Sequence, residues 1–143
     1  VQAEEGKRAQ GLEVEDTVRV YFRTDSNVLG SIDLSWTIHK DRESYIDLFG
    51  TEGVLSVGWK CAKYRQSERM EWVEFGDGYD KLAAFGSQLR NFVDTIHGHD
   101  RALISPEDAL ASVCVIETAY ESVGMDKWLD VQRPLAGTAA TGS

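Results

Sequence analysis

The chain has 143 residues, 42% of them hydrophobic and 27% charged, a balance that suits one globular domain with its own core. Its formal net charge is -9, from 24 acidic and 15 basic residues, which disfavours nucleic acid and anionic membrane surfaces as partners and suits a very soluble or haloadapted surface. No apolar run approaches the roughly 20 residues of a membrane-spanning helix.

In chain order, residues 1–13 are polar, carry Gly6 and Gly11, and read as a flexible lead-in. The first residue is Val1 and the opening has no signal-peptide character, as expected of a segment from a longer cytoplasmic protein. Val18, Val20 and Phe22 alternate with Thr17, Arg19 and Tyr21, the period of two that marks a strand. Asp25-Ser26-Asn27 is a turn cluster, and a second strand over Val28–Ile38 completes a hairpin. After a charged connection, His39 to Glu43, a third strand spans Ser44–Phe49. The turn Gly50-Thr51-Glu52-Gly53 has two glycines, suited to backbone angles that other residues avoid, and leads to a strand over Val54–Val57. Two more strands are expected near Cys61–Arg65 and Glu71–Phe75.

The period then changes to 3.6. Phe85, Leu89, Phe92, Val93 and Ile96 share one face of a helix expected over Leu82–His97, which Gly98 is placed to stop. Ser105-Pro106-Glu107-Asp108 is a helix start: a capping hydroxyl, a proline suited to the first turn, and two acids at the positive end of the dipole. Ala109, Val113, Ile116, Tyr120 and Val123 would line one face of that helix, with the small residues Ser112 and Ala119 beside them and Gly124 as its terminator. Trp128–Val131 could add a short strand, and 133–143 reads as a disordered tail. Strands followed by helices predict an α+β fold: a largely antiparallel open sheet with two main helices packed on one face. The free face would meet solvent or a second copy, giving a homo-oligomer.

Little chemistry is legible. Cys61 and Cys114 have no ligand-spaced partners, so no metal site is expected; they read as buried free thiols, with a disulfide as the alternative because sequence does not give their separation. His97 and His99 sit at a helix end, Glu107 and Asp108 act as caps, and Glu117 is a mid-helix polar residue. Without a GxGxxG or Walker-type loop, no cofactor-binding residue is assigned. The connection holding His39, Lys40 and Arg42 mixes a titratable imidazole with two cations at a strand end, a set able to hold hydroxyls or a carboxylate.

Val14-Glu15-Asp16-Thr17, Gly30-Ser31-Ile32-Asp33-Leu34-Ser35-Trp36, Ile46 to Leu55 with its Gly-Thr-Glu-Gly turn, Phe85 to Gly98, Ser105 to Leu110, and Ala119 to Ser122 form a series of short motifs. Together they resemble the Gfo/Idh/MocA oxidoreductases. In order and spacing they cover residues 14–132, which would be that family's carboxy-terminal substrate and oligomerisation domain, without its Rossmann domain. The resemblance implies a parent enzyme using NAD or NADP to oxidise a sugar or polyol. It places the catalytic groups before this chain, so no catalytic residue is assigned here, and the fragment alone is expected to be inactive. It makes Trp36, His39, Lys40 and Arg42 candidate substrate-side residues. Two other readings remain: a non-catalytic ligand-binding or protein-interaction module of the same fold, like a sugar-pathway repressor, and an unrelated α+β domain that dimerises through its sheet.

Overall fold

The computed structural model describes residues 1–39 and 41–132. Among these lie seven strands and two helices: β1 Gln2–Glu5, β2 Thr17–Arg23, β3 Leu29–Ser35, β4 Ser44–Gly50, β5 Gly53–Gly58, β6 Ala62–Gln66, β7 Val73–Phe75, α1 Lys81–Ile96 and α2 Pro106–Met125. Every strand pairing is antiparallel, so the expected α+β class holds.

The strands form two sheets, where the sequence suggested one. Their orders are β1-β2-β3 and β4-β5-β6-β7, and the chain divides into two units accordingly. The first joins the chain up to His39 with the segment from Ile104 onward; the second is the intervening stretch to Leu103. The break falls in the charged connection after β3, which is no tight hairpin turn. The two helices are likewise divided, α2 with the first sheet and α1 with the second.

In the first unit the lead-in is not all loop. Gln2–Glu5 pairs with β2, and Ala3 sits opposite Val20. The β2–β3 hairpin closes through the Thr24 amide on the Val28 carbonyl, with Asn27 at φ 61, a left-handed angle that asparagine tolerates. Arg19 and Asp33 are register partners and form an ion pair, which holds the guanidinium pKa above its usual value.

Helix α2 starts as expected. The Ser105 side chain accepts from the Asp108 amide at 3.1 Å while the Asp108 carboxylate accepts from the Ser105 amide at 3.0 Å, a reciprocal capping box. Its end differs. Gly124 lies inside the helix, and Asp126 terminates it at φ 51, its amide donating to the Ser122 carbonyl. Its buried face also differs. Val113, Ile116 and Tyr120 are exposed, whereas Thr118, Ala119 and Ser122 are buried. Small side chains let the helix backbone approach β1 closely, and the core gathers there: Ala3, Val20 and Ala119, flanked by Val1, Val18 and Val123. Ser122, wholly buried, accepts from the Ala3 amide at 3.1 Å and donates to the Lys127 carbonyl at 2.7 Å. The short strand expected at Trp128–Val131 reduces to one residue, Leu129, which exchanges two backbone bonds with Val1. The tail expected at 133–143 lies outside the described residues.

In the second unit, Gly50 pairs with Gly53 across the expected turn, Thr51-Glu52. Gly53 is required by proximity: a Cβ there would stand 2.3 Å from the Arg65 carbonyl oxygen of β6. Asp80 caps α1 by accepting from the Ala83 amide at 3.0 Å, and Gly98 follows the helix at φ 73. The apolar stripe of α1 is not core, for the helix buries no residue and Phe85, Leu89, Phe92 and Ile96 are exposed.

Candidate functional site

The four residues singled out from sequence are distributed over both units. Trp36 and His39 end the β3 segment of the first, Arg42 belongs to the second, and Lys40 lies outside the described residues.

The turn after β3 is built by hydroxyls. Ser35 Oγ accepts from the amides of Thr37 at 3.1 Å and Ile38 at 2.9 Å, a local bond that turns the chain. It also meets Thr17 Oγ1 at 2.8 Å, and Thr17 Oγ1 meets Thr37 Oγ1 at 3.2 Å. The Trp36 amide donates to the Asp16 carbonyl at 2.9 Å, extending the ladder one residue past the strand. The backbone at Trp36 is therefore fixed on both sides while its ring is 88% exposed. A rigid turn presenting a bare indole can stack on a ligand or on a protein surface. His39 is exposed two residues past Thr37.

Asp16 supports this turn and was not singled out from sequence. It is buried, its Oδ2 accepts from the Gln10 amide at 3.0 Å, and its Oδ1 has no partner among the described residues. Its signals in the sequence are an acid directly ahead of a strand and its place in the Val14-Glu15-Asp16-Thr17 motif. Nearby, Tyr120 of α2 donates to Glu15, which lowers the Glu15 pKa and raises that of the phenol.

In the second unit Arg42 lines a cleft of about 390 Å³ with Ser44, Trp59, Cys61 and Lys63. Two of its lining residues bind Asp47, which accepts from Ser56 Oγ at 2.7 Å and Ser44 Oγ at 2.8 Å. These bonds, first Ser56 and then Ser44, hold the Asp47 carboxyl below its usual range, with smaller help from Arg42 and Lys63. Lys63 pairs with Glu43 at 3.0 Å, which raises its own pKa. Its ammonium also lies 5.4 Å from the Trp72 ring, and Arg65 lies 5.3 Å from the same ring. The two thiols are free, as expected, but half-buried instead of buried, and Cys61 reaches the cleft wall. Alternation could not reveal this cleft, because it depends on which residues of β4, β5 and β6 stand side by side.

Residues 1–56 match the sequence profile described as GFO/IDH/MocA C-terminal domain. No curated protein matches the chain. Among solved structures it is similar to an oxidoreductase from Agrobacterium radiobacter in complex with NAD+, L-tartaric acid and magnesium, at a TM-score of 0.76 and 15% identity over 91% of this chain and 42% of that one. It is also similar to the WlbA dehydrogenase from Bordetella pertussis in complex with NADH and UDP-GlcNAcA, at a TM-score of 0.54 and 16% identity over 90% of this chain and 42% of that one. At such identities the likeness is one of fold. The chain spans about two fifths of the length of the solved structures it matches.

Proposed function

We propose that this chain, whose residues 1–56 match the profile described as GFO/IDH/MocA C-terminal domain, is the carboxy-terminal domain of an NAD(P)-dependent oxidoreductase acting on a sugar or polyol. The profile match is the observation that carries the reading. The NAD+ and NADH held by the two similar structures favour a dinucleotide in the longer protein. Their tartaric acid and UDP-GlcNAcA favour a hydroxyl-rich substrate.

In this reading the dinucleotide accepts or donates the hydride, and this chain positions the substrate and excludes water. Without a GxGxxG segment, no residue here is assigned to the dinucleotide. Trp36 and His39 of the first unit and, separately, Lys40 and Arg42 are candidate substrate-side residues, the indole able to stack on a substrate and the others able to hold hydroxyls or a carboxylate. The apolar residues that the sheets leave exposed, Ile32 and Leu34 on β3 and Leu48 and Phe49 on β4 among them, supply a homo-oligomer contact.

The test is made in the longer protein with a panel of sugars and polyols. Trp36→Ala, His39→Ala and Arg42→Ala are expected to raise KM for the sugar more than they lower kcat. A purified, folded longer protein that reduces neither NAD+ nor NADP+ with any member of the panel overturns the reading.

A further inference from the structure

The second unit holds an aromatic row that the preceding reading does not use. Tyr45, Trp59 and Tyr79 come from separate stretches of chain. The Tyr45 and Trp59 ring centroids lie 4.6 Å apart with planes at 41°, and those of Trp59 and Tyr79 lie 5.7 Å apart at 71°.

Each ring is placed by a backbone irregularity. Tyr45 sits where the β4–β5 register shifts between Ser44 and Ile46, and such a bulge re-aims a side chain. Before Trp59, a Cβ on Gly58 would stand 2.5 Å from the Glu43 carbonyl oxygen, so only glycine lets the chain pass. Before Tyr79, Gly78 has φ +81, and a Cβ there would stand 2.4 Å from the Lys60 oxygen and 2.6 Å from that of Trp59. The Tyr79 amide then donates to the Trp59 carbonyl at 2.9 Å. The rings are nonetheless 48%, 58% and 49% exposed. Placed by these backbone constraints and left about half exposed, the three rings offer a contiguous aromatic surface to a ligand.

Trp59 also walls the 390 Å³ cleft, whose charged lining is Arg42, Lys60 and Lys63 against Asp41, Glu43 and Glu74. Three cations face three carboxylates, so an anionic ligand gains no net attraction. A purely apolar ligand would strip water from charged groups. A neutral ligand with many hydroxyls can both donate to the acids and accept from the bases. A pyranose adds an apolar face whose C–H hydrogens carry partial positive charge, suited to the negative face of an aromatic ring.

We propose that the Tyr45, Trp59 and Tyr79 platform and the adjoining cleft bind a neutral pyranose-bearing carbohydrate. The site lies within one unit and requires no dinucleotide, so it can fail or stand independently of the oxidoreductase assignment.

The experiment titrates the 143-residue chain with the methyl glycosides of glucose, galactose and mannose, read by calorimetry and saturation-transfer NMR. Sorbitol serves as an open-chain polyol and glucuronate as an anion. At least one glycoside is expected to bind saturably and more tightly than either control. Trp59→Ala and Tyr79→Ala should each weaken it by about three- to tenfold, the effect of one aromatic contact. Trp59→Phe should retain most of the affinity, and Leu103→Ala, at an exposed position, should leave it unchanged. Circular dichroism restricts the comparison to folded variants. The proposal is overturned if no glycoside binds saturably, if sorbitol or glucuronate binds better, or if affinity survives both ring deletions.

Discussion

Ser122 is the residue on which the first unit turns. Its hydroxyl is fully buried and serves two backbone groups, the Ala3 amide and the Lys127 carbonyl. Ser122→Ala strands both, and each unmet buried group costs about 1–3 kcal/mol. A urea-denaturation midpoint lowered accordingly is the expected outcome; an unchanged midpoint would mean that water replaces the hydroxyl. Asp47 makes a different prediction, in pH. Its folded pKa lies below the ordinary 3.8, chiefly through Ser56 and Ser44. Its contribution to stability is therefore complete above that value and is lost as pH falls through the lower folded one. Thermal unfolding of Asp47→Asn followed into acid should show a flatter pH dependence in that window than the parent chain. Neither role is legible in sequence. A serine in a helix of alternating apolar and small residues looks like filler, and Asp47 looks like the polar half of a strand.

Elements were more legible than their faces. Strand alternation located β2, β3, β4 and β5, and the Ser-Pro-Glu-Asp start located α2, because these signals are local bonds and local periods. Ser105→Ala should cost about 1 kcal/mol of stability by removing the cap, measured as a fall in denaturation midpoint. Which stripe of α2 is buried was not legible. The sequence suggested a face of large residues with Ala119 beside it; Ala119 is buried with Thr118 and Ser122 while Val113, Ile116 and Tyr120 are exposed, since close approach to β1 favours small side chains over apolar area. Gly53 teaches the same lesson in a strand. The turn motif suggested unusual backbone angles, and Gly53 has φ 159; strand register adds a second constraint, the Arg65 carbonyl 2.3 Å from where a Cβ would stand. Gly53→Ala is expected to push β5 and β6 apart at a cost of about 1–3 kcal/mol. Weaker amide protection in β6 than in β4 would check that the damage is local.

For the molecule as a whole, the exposed apolar residues of both units bear on association. Phe85, Leu89 and Phe92 on α1 and Ile32 and Leu34 on β3 are too many to leave in water without consequence. Light scattering of the isolated chain is expected to give a mass above the 15.9 kDa monomer, and a strictly monomeric solution at high concentration would count against the homo-oligomer. Titration of the same sample with NADH should show no saturable binding.

The sequence by itself determined the class of fold, the position of most elements and the family resemblance. All three follow from local periodicity, capping chemistry and the order of short motifs. Only the tertiary structure decided that the strands part into two sheets, that small residues line the α2 contact, and that Tyr45, Trp59 and Tyr79 meet. Those outcomes depend on strand register and on distances between residues far apart in the chain. Such contacts are chosen by backbone clearance and competing burial, neither of which leaves a period to read.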